Sequence, residues 1–277
     1  MSRRFRILGD PIGVFGLALV VLVVVGALGA GVFAQHDPTT LDVRHRLLPP
    51  DWDHWLGTDH LGRDVFSRVL YGGRIALFVS LVSVGLSLAF GCVLGMLAGY
   101  GPRWLDNGFI LVFDAVRSFP TVLFALALVT LIGPSLTTII VIVVVTSTPL
   151  YGRIVRTQTL ALQESEFIQA ARSIGARPPR VLARHMLPNL IGPLLILASM
   201  DIPVVITIES GLSFLGLGVR PPTPSWGSIL NDGYGFIRDT PWLVIAGGVP
   251  IVLTTLGFTF LGEALRDLYD PRLQRMQ

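Results

Sequence analysis

The chain has 277 residues, 52% of them apolar and 14% charged, with a formal net charge of +3. A soluble domain carries nearer a quarter charged residues, and long uncharged apolar runs read as membrane helices. The composition therefore excludes an ordinary soluble domain, gives no ground for nucleic-acid binding, and defines an all-α polytopic membrane protein with a single domain over 74–262. All 21 basic residues are arginine. Without lysine there is neither a Walker A phosphate loop nor a Schiff-base nucleophile, so no ATPase site and no catalytic residue are expected. The lone cysteine, Cys92, permits no internal disulfide.

Residues 1–11 carry Arg3, Arg4 and Arg6 ahead of an apolar run over 12–34. That run is longer than a signal-peptide core and reads as a retained first span. The alternative is a cleaved signal ending at Val32-Phe33-Ala34. Residues 35–73 are polar. Their second half places Val65, Phe66, Val69 and Leu70 at helical spacing, which predicts an amphipathic surface helix capped by Thr58 or Asp59. His54 and His60 lie beside Asp53 and Asp59. Two histidines six apart share no helix face, and the sequence shows no third strong ligand nearby. The expectation is a solvated polar loop with no metal site.

The second span is expected over 74–99, rich in glycine and serine. Gly91 and Gly95 are spaced for close helix packing. The third span is expected over 108–132, with Asp114 and Arg117 paired on one face. The fourth runs over 136–156 with a kink at Pro149. After a polar interruption over 160–189, the fifth span covers 190–217. A Pro- and Gly-rich link covers 218–241, the sixth span 242–262, and a tail 263–277.

The stretch 160–189 is the longest arginine-rich interruption in the second half of the chain. Phe167, Ile168, Ala171 and Ile174 lie at i, i+1, i+4 and i+7, one face of a helix. Gly175 stands where a helix turns through a left-handed residue. Pro178 and Pro179 suit the first turn of a second helix, expected to run to Leu187, with Pro188 leading to the next span. Two short helices with a glycine elbow make either a protruding docking knob or an amphipathic loop on the lipid surface.

These residues carry a resemblance. Gln169-Ala170-Ala171, then Gly175, then Leu187-Pro188 resembles the EAA loop of ABC-importer permeases, with Gln169 in place of the usual glutamate. Gly57-Thr58-Asp59, Leu61-Gly62-Arg63-Asp64, Ser67-Arg68, Tyr71-Gly72, Ser213 to Gly218, Pro224-Ser225-Trp226-Gly227 and Asp270-Pro271-Arg272-Leu273 are similar to the C-type permease of dipeptide, oligopeptide and nickel importers. The resemblance covers essentially the whole chain. It implies a six-span, type I importer permease forming half of the translocation pathway, with a cytoplasmic coupling helix between spans 4 and 5. Phe167, Gln169, Ala170, Ala171, Gly175, Leu187 and Pro188 would then contact the ATPase. The implied partners are a second homologous permease subunit, two cytoplasmic ATPases that bind ATP and Mg in place of this chain, and an extracytoplasmic solute-binding protein, all in a lipid membrane. The implied cargo is a dipeptide or oligopeptide, with nickel or a metal chelate as the alternative.

Charge gives an independent orientation. Six spans place fourteen arginines on the side of the termini and of 160–189, against seven on the other side. The positive-inside rule sets the termini and the elbow in the cytoplasm of a cell-membrane protein. Inside the fifth span lie Asp201 and Glu209, roughly on one face. A carboxylate at such depth costs on the order of 3 kcal/mol and usually faces a cavity or a partner. Three readings stand: lining of the pathway, a contact across the permease pair, or a protonated structural acid. An ion-driven secondary transporter is the rival function, but no inverted repeat is visible. An intramembrane serine protease lacks a histidine in any span.

Overall fold

A computed structural model describes residues 10–269, so the arginine-rich first residues and Asp270-Pro271-Arg272-Leu273 lie outside it. Among the described residues the helices are α1 (Pro11–Leu28), α2 (Ala30–Phe33), α3 (Val65–Tyr100), α4 (Arg103–Ser118), α5 (Thr121–Ile132) and α6 (Leu136–Gln163). They continue with α7 (Glu166–Ser173), α8 (Pro178–Val181), α9 (Leu187–Phe214), α10 (Trp226–Gly235) and α11 (Pro241–Tyr269). Five stretches are long and apolar enough to cross a membrane, or six if the bent pair α4–α5 is one span. The chain divides into two compact units: residues 1–82, 125–140 and 199–277, and residues 83–124 and 141–198.

In the first unit, α1 starts where Asp10 accepts the amide hydrogens of Ile12 and Gly13, each at 3.1 Å. Pro11 occupies the first turn, where no amide hydrogen is needed. The helix packs along α11. A Cβ on Gly13 or Gly16 would come within 2.7 Å of the Ala264 or Phe260 Cβ. Because Ala264 is buried there, α11 continues past the expected end at Gly262, and 263–269 are helix rather than tail.

The expected surface helix and second span are one rod, α3, beginning at Val65 rather than Arg74. Its cap is Asp64, whose Oδ2 accepts from the Ser67 amide at 2.7 Å, and not Thr58 or Asp59. The link 218–241 also holds a helix. Ser225 and Ser228 form a capping box at the start of α10, and buried Trp226 donates from Nε1 to the Val69 carbonyl at 2.9 Å. The propensity of the prolines before it hid this helix; the Ser-x-x-Ser pattern marked it.

In the second unit, α3 and α6 approach through a row of small residues. A Cβ on Gly95 would lie 2.5 Å from the Gly152 carbonyl oxygen, and one on Gly99 2.8 Å from that of Arg156. Gly91 meets Tyr151 in the same row. The Gly91–Gly95 spacing is thus a packing seam, one step longer than the pair suggested. Gly95→Leu is expected to destabilise by about 1–3 kcal/mol through overpacking. The check is the midpoint of thermal aggregation in detergent, with Gly108→Leu, where a Cβ meets open space, as the neutral control.

The third span differs most from expectation. The run 108–132 is two helices, α4 and α5, bent by 89°. Pro120 has no amide hydrogen to continue the helix, and it drives Phe119 out of the helical region to φ −88°, ψ 130°. Asp114 pairs with Arg153 rather than Arg117. Asp106, at the start of α4, takes Arg156 in a two-pronged ion pair. These pairs extend α6 to Gln163, seven residues beyond the expected end of the fourth span.

Candidate coupling site and buried polar groups

The elbow is built by backbone chemistry. Ser165 is extended at φ −73°, ψ 142° and opens α7. At its other end Gly175 has φ +83°. The Ala176 amide donates to the Ala171 carbonyl at 3.0 Å and the Gly175 amide to the Arg172 carbonyl at 2.9 Å. That is a full Schellman closure, and it needs a residue without a Cβ penalty at the left-handed position.

The apolar stripe of α7 is divided. Ile168 and Ala171 are buried, whereas Phe167 is 46% and Ile174 87% exposed. The helix is held to its own unit by Arg172, whose guanidinium lies 4.8 Å from the centre of the Tyr100 ring and donates to Gln163 Oε1 at 3.2 Å. Gln163 in turn donates to the Gly99 carbonyl. Gln169 and Ala170 are exposed, and Gln169 Nε2 donates to the Glu164 carbonyl at 3.1 Å. A glutamate here has no hydrogen to make that bond, so Gln169 has a structural use of its own. Beyond the elbow, Gly175, Arg177, Pro179 and Arg180 line an open recess.

The second short helix does not stop before the fifth span. From Val181 the chain passes through a π-turn, Leu182–Met186, directly into α9, so Pro178–Phe214 is one rod. Widening the turn to i→i+5 accommodates Pro188, which would otherwise clash with the carbonyl four residues back. Leu187 is half-buried and Pro188 exposed. The elbow is thus continuous in helix with the α9 rod.

On α9, Glu209 is completely buried. Its carboxylate accepts from Ser213 Oγ at 2.8 Å and Ser210 Oγ at 3.3 Å. Asp201, two turns earlier, is half-buried. The structure therefore gives Glu209 hydroxyl partners on its own helix.

The connection between α2 and α3 is solvated over most of 39–53, but its end and the start of α3 are not. Thr58, Asp59, Arg63, Asp64, Ser67 and Arg68 are all buried. Asp59 Oδ2 takes Arg63 Nε at 2.6 Å and Arg68 Nε at 3.5 Å, and Asp232 of α10 takes both guanidinium groups at 3.1 and 3.7 Å. Burial pushes the Asp232 carboxyl above its ordinary value, against the opposing pull of His60, Arg68 and Arg63. The Gly-Thr-Asp and Gly-Arg-Asp motifs are thus the two sides of one ion network. Sequence reasoning found the motifs and missed Asp232, which lies in a different loop. It also missed two groupings of potential metal ligands: His36, His54 and Asp64, and Asp59, His60 and Asp232. The third ligand that the loop lacked in sequence comes from residues distant along the chain.

Helical rods of spanning length, a closed elbow between α6 and α9, and a buried carboxylate within the α9 rod define a polytopic membrane protein. The backbone matches a chain of the MetNI methionine ABC transporter, solved in inward-facing conformations, with a TM-score of 0.60 and 18% identity over 73% of this chain and 97% of that one. At that identity the likeness gives the fold alone, that of a type I ABC-importer permease. Residues 91–275 match the family described as the binding-protein-dependent transport system inner membrane component, and the chain belongs to it. Residues 3–50 match the N-terminal TM domain of oligopeptide transport permease C. Among curated relatives, the dipeptide transport system permease protein DppC of Alkalihalophilus pseudofirmus is 36% identical over 96% of this chain and 87% of its own length. A putative peptide permease protein of Brucella suis is 38% identical over 97% and 90%. The chain is a permease subunit of a binding-protein-dependent ABC importer, a multi-pass membrane protein whose class works with an ATPase and a binding protein.

Proposed function

We propose that this permease carries dipeptides or short oligopeptides and is driven through the α7–Gly175–α8 elbow by partner ATPases. The peptide assignment rests on the names of full-length relatives at 36–38% identity. The observation that carries the coupling role is the exposure of Phe167 and Ile174 on a helix whose other face is buried. An apolar side chain held out on a rigid, arginine-rimmed elbow suits a groove on a partner protein better than solvent. Because α8 runs without a break into α9, a push on the elbow reaches the rod that carries Asp201 and Glu209. ATP and Mg bind to two cytoplasmic ATPase subunits and not to this lysine-free chain. A second homologous permease completes the pathway, and the binding protein delivers cargo on the opposite side. Nickel or a metal chelate is the alternative cargo within the same mechanism.

In this reading the elbow lies in the cytoplasm, which the arginine distribution supports. Ser173 is exposed on α7. In a Cys92→Ala background, Ser173→Cys is expected to resist a membrane-impermeant maleimide in intact cells and to react in inside-out vesicles. Modification in intact cells overturns the orientation and the coupling role together. For cargo, the complex reconstituted with its binding protein should take up labelled dipeptide only with ATP. Uptake that an ion gradient drives without ATP would refute the proposal.

A further inference from the structure

We propose that His36, His54 and Asp64, with Asp53 at the rim, form a binding site for a divalent transition metal, for which Zn2+ is the best-fitting ion. One donor atom from each of His36, His54 and Asp64 lies within 4.8 Å of the others. Tetrahedral zinc with bonds of about 2.0–2.2 Å holds neighbouring donors about 3.4 Å apart, so the three need only a small contraction. His54 Nδ1 already stands 2.9 Å from Asp64 Oδ1. The His36 and His54 rings are 4.6 Å apart between centroids. Asp53 brings Oδ1 to 3.7 Å from His36 Nε2, whereas its Oδ2 approaches His54 at Nε2, not at the Nδ1 that faces Asp64, so Asp53 stands at the mouth and the fourth position is left to water.

The site is graded from inside to outside. The Asp64 side chain is fully buried and fixed by the Ser67 amide on its other oxygen; His54 is 14% and His36 37% exposed; Asp53 is 80% exposed. A buried, oriented carboxylate at the base and an open carboxylate at the mouth give an ion a way in. Two imidazoles with a carboxylate suit Zn2+ and neighbouring transition metals, whereas Mg2+ and Ca2+ prefer oxygen alone. Among the described residues no guanidinium pairs with any of the four. That separates the site from the Asp59–His60–Asp232 grouping, where Arg63 and Arg68 already neutralise both carboxylates.

The donors come from three places along the chain: just after α2, the turn at 51–54, and the residue that caps α3. An ion there clips the exit of the first span to the start of the second. It binds only the folded loop and therefore raises its stability.

The test uses the detergent-solubilised importer complex, purified without a polyhistidine tag and stripped with a chelator. Zn2+ is titrated against a chromophoric indicator, and thermal stability is followed in parallel. The wild type is expected to bind one Zn2+ more than His36→Gln, or to bind it about tenfold or more tightly, as loss of a metal-site residue usually costs. Zn2+ should raise the melting point of the wild type but not of His36→Gln, and Mg2+ should do neither. His54→Gln should match His36→Gln. If it misfolds, His36→Gln decides alone, because among the described residues that ring hydrogen-bonds only the Asp53 carbonyl. His45→Gln and His60→Gln should bind as the wild type. Equal Zn2+ binding by wild type and His36→Gln overturns the site, and so does loss of binding in His60→Gln.

Discussion

Asp59→Ala is expected to destabilise the protein by about 3–5 kcal/mol, the range for removing one partner from a buried ion network. Asp59 stands between Arg63 and Arg68, and all three side chains are at most 5% exposed. Removing its carboxylate leaves two buried guanidinium groups to share Asp232, whose own ionised form burial already disfavours. A second loss follows from the backbone, because Asp59 Oδ1 accepts the amide hydrogens of Leu61 at 2.8 Å and Arg63 at 3.0 Å. Asp59→Asn retains an acceptor for those amides and removes only the charge, so it should fall between wild type and Asp59→Ala. The measurement is the fraction of monodisperse complex left after a temperature series. If Asp59→Ala survives heating as well as the wild type, the network contributes nothing to holding the loop.

The span count was legible because uncharged apolar runs leave few alternatives in a membrane. The elbow was legible for a different reason. Gly175 is the one residue type that closes α7 at φ +83° without penalty, and Pro178 announces the next first turn. Interruptions of the rods were harder to read. Pro120 breaks a helix while Pro149 does not: α6 runs through Pro149 unbroken. Pro120 stands at the 89° bend between α4 and α5 and Pro149 inside a continuous helix, a difference that local propensity does not record. Longest in reach was the loop network. Asp232 is 169 residues from Arg63 in sequence yet 3.1 Å away in space, and no periodicity encodes such a pairing. For the same reason a segment with six aspartates read as solvated throughout, although most of its motif residues are buried.

Gly175→Pro is expected to abolish ATP-driven uptake while leaving the spans folded. Three changes coincide at the elbow. Proline holds φ near −65°, against the observed +83°. It removes the amide hydrogen that bonds the Arg172 carbonyl at 2.9 Å. It also drives the preceding residue, Ile174, out of its near-helical φ −86°, ψ 11° toward extended backbone. The chain cannot then reverse where it does, and α7 is re-aimed relative to α8, moving Phe167 and Ile174 from their places. No neighbouring atom lies within 4 Å of a Cβ at this site, so the damage stays local and the melting of the complex should change little. If about 1.4 kcal/mol of the displacement falls on the energised state, uptake drops about tenfold, and larger shares drop it further. Gly175→Ala separates geometry from bulk. It meets open space and carries only the left-handed penalty of about 1–2 kcal/mol, so it should retain partial transport. The decisive reading is uptake together with ATPase activity and subunit retention on gel filtration. Wild-type uptake by Gly175→Pro would show that the elbow transmits nothing, since a lever whose bend has been removed cannot still deliver the stroke to α9.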